Sequence, residues 1–173
     1  LLCASAHVTP AMAASSAEVG NGQRPPLSRR LSLEPSACDV FVDGSSGKDS
    51  GSCGDTAGSA CRTIQQGIDN SSPGQSVCVA QGVYGCGDGL AGFSNHSISL
   101  KGSGAGAIVN CAGNGAGLQF GEGAHTVSVT GFHFPNANTS TEAGGISATG
   151  TQSLTISACS FTNCNGSIAG AIS

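Results

Sequence analysis

Few side chains along this chain could transfer a proton or stabilise a developing charge. After Asn70 the charged residues are Asp88, Lys101, Glu122 and Glu142. General acid–base hydrolysis of a glycosidic bond needs two carboxyl groups roughly 5–10 Å apart, and this stretch of sequence contains no Asp-Asp pair. The G-x-S-x-G motif of a nucleophilic serine and the G-K-[ST] motif of a phosphate loop do not occur either. The sequence therefore predicts no catalytic residue.

Three aspartates in a Gly- and Ser-rich loop could supply oxygen ligands to calcium. Asp43, Asp49 and Asp55 are six residues apart, whereas an EF-hand loop places its first ligands at alternate positions. Zinc is disfavoured because there is no C-x-x-C pair and the histidines are scattered. We therefore predict neither a metal nor a cofactor, with calcium in this loop as the weaker alternative. The histidines are His7, His96, His125 and His133.

The cysteines favour disulfide bonds in an oxidising compartment. Cys53 and Cys61 flank part of the aspartate loop and form the best single pair. Cys159 and Cys164 could bridge within one turn, or Cys159 could face inward as a small hydrophobic residue. The connectivity does not follow from the sequence. The other candidates are Cys78 and Cys86, and Cys3, Cys38 and Cys111 complete the set.

Two further features predict secretion. Residues 1–13 are apolar and end in Ala11-Met12-Ala13, which suits a signal-peptide remnant, the alternative being a frayed Ala-rich terminus. Residues 14–37 contain Pro, Ser and Arg without apolar periodicity, and we expect a disordered linker. Four N-x-S/T sequons are candidates for glycosylation in a eukaryotic host. They are Asn70, Asn95, Asn138 and Asn165.

Local patterns predict short strands and one helix. In the segments VFV at 40–42 and VCV at 77–79, two valines alternate with a Phe or a Cys, which predicts two short strands. Between them, TIQQGID at 63–69 predicts a short helix that starts with a capping box at Thr63. Isoleucines at i and i+4 give this helix one apolar edge. We expect it to cover the open end of a sheet stack.

Later segments repeat one another. Val127-x-Val129 recurs as Leu154-x-Ile156, and Phe134-x-Asn136 recurs as Phe161-x-Asn163, each 27 residues later. Related pieces recur at spacings of 26 to 29 residues, with three strand-like pieces in each repeat. Such a repeat, with Gly and Asn in the turns, predicts a solenoid. The leucine-rich pattern is missing and no long helix separates the strands, so we predict an all-β, single-stranded parallel β-helix with a short N-terminal capping helix.

This β-helix is expected to occupy 38–173, with an N-terminal cap at 38–84 and incomplete coils at 85–173. Inward residues should form apolar rows, and Gly and Asn should adopt left-handed backbone at the corners. A solenoid needs a cap at each end, and only the first is present. The last turn stops at Ser173 without one. We therefore expect the natural protein, or its assembly, to continue past this point.

The opening motifs resemble those of the pectin-lyase-like superfamily of right-handed parallel β-helices. The matching segments are Thr63-Ile64-Gln65, Pro73-Gly74-Gln75 and 77–84, VCVAQGVY, with Gln75 and Gly67 in place of the common Asp and Ala. The later turns contain Gly144-Gly145-Ile146, Ala169-Gly170-Ala171-Ile172 and Phe161-Thr162-Asn163. These segments are similar to polymorphic outer-membrane-protein repeats, which carry G-G-A-I and F-x-x-N motifs. The resemblance implies a right-handed coil. It also implies that lyases and hydrolases of this superfamily would place their catalytic carboxylates on the outside of the coils.

The function expected from the sequence is structural or adhesive. A net charge of −4 gives no basic surface for nucleic acid, and no apolar run of about 20 residues could span a membrane as a helix. We expect a secreted, extracellular or cell-surface rod that presents loops to glycans or matrix proteins, and that could self-associate through its open edge. The alternative is a polysaccharide lyase or glycoside hydrolase whose catalytic coils lie beyond residue 173. A carbohydrate-binding module would need exposed aromatic residues, of which Tyr84 and the six Phe are the candidates.

Overall fold

A computed structural model describes residues 38–166 apart from 87–89, 104–105, 113–115, 137, 140–143 and 164. This part of the protein is mostly β-structure, and its strand pairs are parallel. The predicted signal remnant and linker, residues 1–37, lie outside the described residues. Asp88, Glu142 and Cys164 also lie outside them.

Most of the elements are short strands joined by turns. The helical elements are a 3₁₀ turn at Ala57–Ser59 and helix α1 at Ile64–Asp69. The strands are β1 (Val40–Val42), β2 (Ser76–Val79), β3 (Gly82–Gly85), β4 (Leu90–Ser94), β5 (Ile98–Gly102), β6 (Ala107–Asn110), β7 (Ala116–Phe120), β8 (Thr126–Thr130), β9 (Phe132–Pro135), β10 (Asn138–Thr139), β11 (Ile146–Ala148), β12 (Ser153–Ser157), β13 (Ser160–Thr162) and β14 (Asn165–Gly166).

These strands form three main parallel sheets. Sheet A has the order β1-β2-β5-β8-β12, sheet B has the order β3-β6-β9-β13, and sheet C has the order β4-β7-β11. Strands β10 and β14 form a further pair. Consecutive strands β2, β3 and β4 pair with β5, β6 and β7, respectively. The chain therefore visits the three sheets in turn and then returns to the first.

The strand registers follow the repeat predicted from the sequence. In sheet A, Ile98 lies opposite Val127, and Val127 lies opposite Leu154. In sheet B, Phe134 lies opposite Phe161. Because side chains alternate between the two faces of a strand, an in-register pairing keeps every apolar row on the same side. The repeat of apolar residues thus sets the pairing of the strands.

The core consists of rows of apolar side chains that run across the sheets. In sheet A, Val77, Leu100 and Val129 are fully buried and lie one above the other. In sheet B, the rings of Phe134 and Phe161 stack with centroids 5.0 Å apart and planes tilted by 6°. The core is therefore built by close packing of equivalent positions in successive turns.

Helix α1 begins with half of the predicted capping box. The hydroxyl of Thr63 accepts a hydrogen bond from the Gln66 backbone N–H at 3.2 Å. The reciprocal bond, from the Thr63 backbone N–H to Gln66 Oε1, is absent from the described contacts, and Gln66 Nε2 donates to Asn70 Oδ1. The Asp49 carboxylate accepts from the Thr63 N–H at 3.0 Å and takes over that role. A loop residue therefore completes the cap that the sequence pattern assigned to the helix.

The apolar edge of α1 packs against the first strands of the sheets. Ile64 and Ile68 are buried and face Gly92 of β4, where a side chain would meet both of them. Gly67 lies against β1, and a Cβ atom there would collide with the Val42 side chain. This contact explains why position 67 carries glycine.

Left-handed backbone occurs at the corners between strands. Asn136 and Asn163 have φ values of 55° and 51°, and the Asn163 Nδ2 donates to Asn136 Oδ1 at 3.1 Å. Gly131 adopts φ 76° at the corner between β8 and β9. The next turn has Ala158 at the equivalent corner with φ 49°. The prediction that Gly and Asn turn the corners holds at Asn136, Asn163 and Gly131, whereas Ala158 and Ala112 (φ 51°) are exceptions.

Three disulfides hold the first turns together. Cys53 is bonded to Cys61, the pair that the sequence favoured. The other two bonds, which the sequence left unassigned, link successive turns. One joins the segment before β1 to β2, and the other joins the residue after β3 to the residue after β6. These bonds are Cys38–Cys78 and Cys86–Cys111. Three disulfides in a chain of this size indicate an oxidising, extracellular-type environment.

Cys159 is a free thiol, which corrects its assignment as a disulfide candidate. Its side chain is 7% exposed and faces inward. The sulfur donates to the backbone oxygens of Ser157 and Val129 at 3.4 and 3.6 Å. Burial raises the pKa of this thiol, so the neutral form is favoured. The alternative that Cys159 serves as a small hydrophobic residue describes what is seen.

Candidate functional site

The outer side of sheet A carries rows of hydroxyl side chains. Residues between the buried Val, Leu and Ile positions point outward, because side chains alternate along each strand. The registers bring these outward residues opposite one another in successive strands. We call this surface the hydroxyl face. Its members are Ser76, Ser97, Ser99, Thr126, Ser128, Thr130, Ser153, Thr155 and Ser157.

Some of these hydroxyls bond to the neighbouring turn. Thr130 and Ser157 lie 2.9 Å apart through their side-chain oxygens. The Ser97 hydroxyl accepts from the Thr126 backbone N–H at 3.0 Å. Such contacts hold the side chains of adjacent turns in fixed positions. They help to keep the face regular from one turn to the next.

The middle row of the face starts at Ser76, whose hydroxyl is bonded to Asp39, and continues through three hydroxyls without protein partners. Ser99, Ser128 and Thr155 lie in register, and within the described part of the chain their hydroxyls make no hydrogen bond to protein. Each hydroxyl can donate one bond and accept two. Strands lie about 4.8 Å apart and alternate residues about 6.7 Å apart, so the hydroxyls have a regular spacing in two directions. The arrangement suits a partner that is itself rich in regularly spaced hydroxyl groups.

Two charged residues, Asp39 and Lys101, lie at the N-terminal end of the hydroxyl face. Asp39 accepts from the Ser76 backbone N–H at 2.8 Å and from the Ser76 hydroxyl at 2.9 Å. These hydrogen bonds, with a smaller attraction from Lys101, hold the pKa of the Asp39 carboxyl below its usual value. Lys101 lies opposite Cys78 and Thr130, and so sits within the outward rows.

A groove lies beside this charged end. Its volume is about 330 Å³, within the range of small-molecule sites. Phe41, Val79 and Ala57 contribute apolar surface, while Asp43 and Lys101 contribute charge. The groove lies between the outer strands of sheet A and the loop that contains the 3₁₀ turn. It could hold a ring with an apolar face and a polar edge.

The loop aspartates have separate structural roles. The Asp43 carboxylate accepts from the hydroxyls of Ser45 and Ser46 at 2.7 and 2.6 Å, and these bonds hold its pKa well below the usual range. Asp49 accepts from the backbone N–H groups of Arg62 and Thr63. Among the described residues, no three His, Cys, Asp or Glu side chains are grouped as metal ligands. The carboxylates of Asp43 and Asp49 thus stabilise a turn and the start of α1.

The structure brings together two serine–histidine pairs that sequence inspection missed. Ser71 Oγ lies 3.0 Å from His96 Nε2, beside helix α1. The second pair lies on sheet B. His133 Nδ1 lies 2.6 Å from the Ser160 hydroxyl on the outer side of sheet B. A nucleophilic serine also needs a group that orients the histidine and donors that stabilise an oxyanion. No bond from a described residue to the other histidine nitrogen accompanies this pair. The two residues are 27 positions apart, which is the repeat length, and this spacing was the sequence signal for their proximity.

The glutamates and the aromatic residues do not form a site among the described residues. Glu122 lies against the Gly150 turn of the next repeat, and Glu142 is outside the described residues. Tyr84 is buried, donating to the Ala80 carbonyl oxygen at 2.9 Å, which removes it as a platform for a sugar. Phe93, at 40% exposed, is the described phenylalanine with the largest exposure.

Comparison with known proteins gives no assignment. No family model, no curated protein and no solved structure matches this chain. In the described part of the chain, no helix is long and apolar enough to cross a membrane.

Proposed function

We propose that this protein is a secreted, right-handed parallel β-helix that acts as a structural or adhesive element of the cell surface or extracellular space. The proposal rests on one observation, the in-register rows of outward hydroxyls on sheet A. A surface built by repetition is well suited to a repetitive partner, because each turn adds an equivalent set of weak contacts. Glycans are the partner class with this chemistry, and matrix glycoproteins carry them.

The three disulfides support the extracellular part of the proposal. A protein with few coils has a small hydrophobic core, and disulfide bonds between turns add stability that this core does not supply. Cys38–Cys78 ties the first strand of sheet A to the second, so the beginning of the hydroxyl face is fixed. A rigid scaffold reduces the conformational entropy that binding would otherwise cost.

The last described strand of sheet A supports self-association as a further mode. β12 is the terminal strand of that sheet in the described chain. Its inward residues Leu154 and Ile156 are partly exposed, whereas Val127 and Val129 in the preceding strand are fully buried. An exposed strand edge with apolar side chains favours pairing with another strand. Concentration-dependent light scattering tests this, and a monomer at every concentration would contradict it.

The adhesive function is tested by solid-phase binding. We expect the protein to be retained on insoluble polysaccharides such as cellulose, chitin or alginate gel, or on immobilised matrix glycoproteins. The double variant Ser128→Glu with Thr155→Glu places charge on the middle row, where no protein hydrogen bond is lost, and should reduce the bound fraction at least tenfold. The double variant Ser50→Glu with Ser52→Glu adds the same charge in the exposed loop, so it is the matched control and should bind as the unmodified protein does.

Two results would contradict the proposal. One is a failure of the folded, disulfide-bonded protein to bind any of these surfaces. The other is equal loss of binding in the middle-row variant and in the loop control, because net charge rather than the hydroxyl face would then govern retention.

A further inference from the structure

Two sequons in the described part of the chain place their asparagines in opposite environments. Asn70 follows helix α1 and begins the sequence Asn-Ser-Ser, while Asn95 follows β4 and begins Asn-His-Ser. Both satisfy the N-x-S/T pattern, so the sequence does not distinguish them. The difference lies in what each side-chain amide nitrogen touches.

The Asn70 amide nitrogen is committed to the protein. Its Nδ2 donates to the backbone oxygens of Ser50 and Cys53, each at 2.9 Å. The same nitrogen lies 3.3 Å from the Cys53 sulfur and 3.7 Å from the Cys61 sulfur. A glycan on this nitrogen would remove one of two protons that serve two carbonyl groups. It would also place a sugar ring against the disulfide.

The Asn95 amide is held in the reverse orientation. Its Oδ1 accepts from the backbone N–H of Gly123 in the next turn at 2.9 Å. Since a backbone N–H can only donate, the facing atom must be the oxygen, and Nδ2 points the other way. Asn95 is exposed, and no described residue accepts a hydrogen bond from its Nδ2. Glycine at 123 leaves room for this contact, because a Cβ there would collide with the Asn95 backbone oxygen.

The third residue of the Asn95 sequon is also held in place. The Ser97 hydroxyl accepts from the Thr126 backbone N–H at 3.0 Å. The sequon therefore bridges two points of the next turn, Gly123 and Thr126, while its reactive nitrogen faces solvent. A glycan attached there would extend away from the coil without breaking either contact.

We infer that Asn95 is an N-glycosylation site of the folded protein and that Asn70 is instead a structural clamp that stays unmodified. The inference rests on the secreted location proposed above. The co-reactant is an oligosaccharide carried on a polyisoprenyl diphosphate. The Asn95 Nδ2 forms a bond to C1 of the first sugar, the C1–oxygen bond to the diphosphate breaks, the diphosphate leaves with the electron pair, and one Nδ2 proton passes to a base of the transferase.

The test is a site-resolved peptide map of the whole 173-residue chain, secreted from a eukaryotic cell behind that cell's own leader. Treatment with peptide N-glycosidase converts a glycosylated asparagine to aspartate and so marks the site. We expect the mark at Asn95 and an unmodified Asn70. Ser97→Ala should abolish the mark at Asn95, and Ser97→Thr, which keeps the hydroxyl, should preserve it. Ser72→Ala, which destroys the sequon of Asn70, should leave the glycan content unchanged.

The outcomes separate this inference from the proposal on which it rests. If the three disulfides form and Asn95 is bare, or if a glycan occupies Asn70 in the oxidised protein, the inference is wrong while the secreted location stands. If the secreted chain fails to form the disulfides, the secreted location is wrong and the inference falls with it.

Discussion

Replacement of Phe134 by alanine tests the core that the strand registers define. Phe134 is fully buried, its ring stacks on Phe161 at 5.0 Å, and it lies 6.0 Å from the ring of Phe132. Removing a buried phenylalanine ring costs about 3–5 kcal/mol of unfolding free energy, of which stacking contributes roughly 0.5–1.5 kcal/mol. The ring also packs against the backbone at Gly117.

The Gly117 contact moves the expected loss to the upper half of that range. Glycine has no side chain that could move into the space left by the ring, so the cavity would persist. We therefore expect Phe134→Ala to lower the free energy of unfolding by about 4 kcal/mol. Since domains of this kind are stable by about 5–15 kcal/mol, the variant Phe134→Leu provides a milder case, with an expected loss of roughly 1–2 kcal/mol.

Phe93→Ala is the matched control for the same change on the outer side. Phe93 lies in β4 with 40% of its surface exposed, and its backbone hydrogen bond to the Gln65 side chain would survive the substitution. We expect a loss below about 1.5 kcal/mol. Urea unfolding, followed by circular dichroism on oxidised protein, measures both variants. Equal losses for Phe93→Ala and Phe134→Ala would refute the register, because one residue faces the core and the other faces solvent.

Three further perturbations test the corners, the cross-links and the N-terminal charge. Ala158→Gly should raise the unfolding free energy by up to about 1 kcal/mol, because it relieves left-handed backbone strain of about 1–2 kcal/mol at a smaller entropic cost. Gly131→Ala should lower the unfolding free energy, because it introduces that strain. Thermal unfolding midpoints compare the two variants. Replacing both Cys86 and Cys111 with serine opens a loop with a sequence separation of 25 and should cost roughly 2–4 kcal/mol, measured by urea unfolding against the oxidised parent. The lowered pKa of Asp39 implies stability that is present above its unfolded-state value of about 3.9 and is lost as the pH falls through the folded-state value. Asp39→Asn should therefore flatten the dependence of the melting temperature on pH below about 4, and an unchanged acid transition would contradict that role.

The alternating strands of sheet A were predictable from local sequence. In β5, β8 and β12, small polar residues alternate with Val, Ile or Leu, and the two-residue period requires a strand with one apolar side. The recurrence after 27 to 29 residues then fixes which strands pair. The earlier pairing of β2 with β5 is harder to find, because Ser76 lies opposite Ser99 at an offset of 23.

Other elements depend on tertiary contacts that the sequence does not display. β4 reads LAGFS, with a glycine in the middle of a strand, a pattern that normally weakens the assignment. In the structure, Ile64 and Ile68 of α1 occupy the space that a side chain at Gly92 would fill. The short pair β10–β14 joins Asn138–Thr139 to Asn165–Gly166 and is too brief to give a periodic signal.

The disulfides show the same limit. Cys53 and Cys61 could be paired from the sequence because they flank one short loop. Cys38 and Cys78 are 40 residues apart, and their proximity follows from the parallel pairing of β1 with β2, where Phe41 lies opposite Cys78. A pairing of this kind can be deduced once the register is known, and spacing alone does not contain it.

The two sequons show the same dependence on pairing between turns at the level of single atoms. In a stacked repeat, the environment of a residue is set by the residue one turn away, and the offset between turns decides which residue that is. Asn95 meets the glycine backbone of the following turn, so its nitrogen remains free, whereas Asn70 meets the loop that the Cys53–Cys61 bond closes, so its nitrogen is used. The hydroxyl face arises by the same rule, since Ser99, Ser128 and Thr155 become a row through pairing between turns. Chemistry on such a scaffold is therefore encoded in the register between distant segments more than in any contiguous motif.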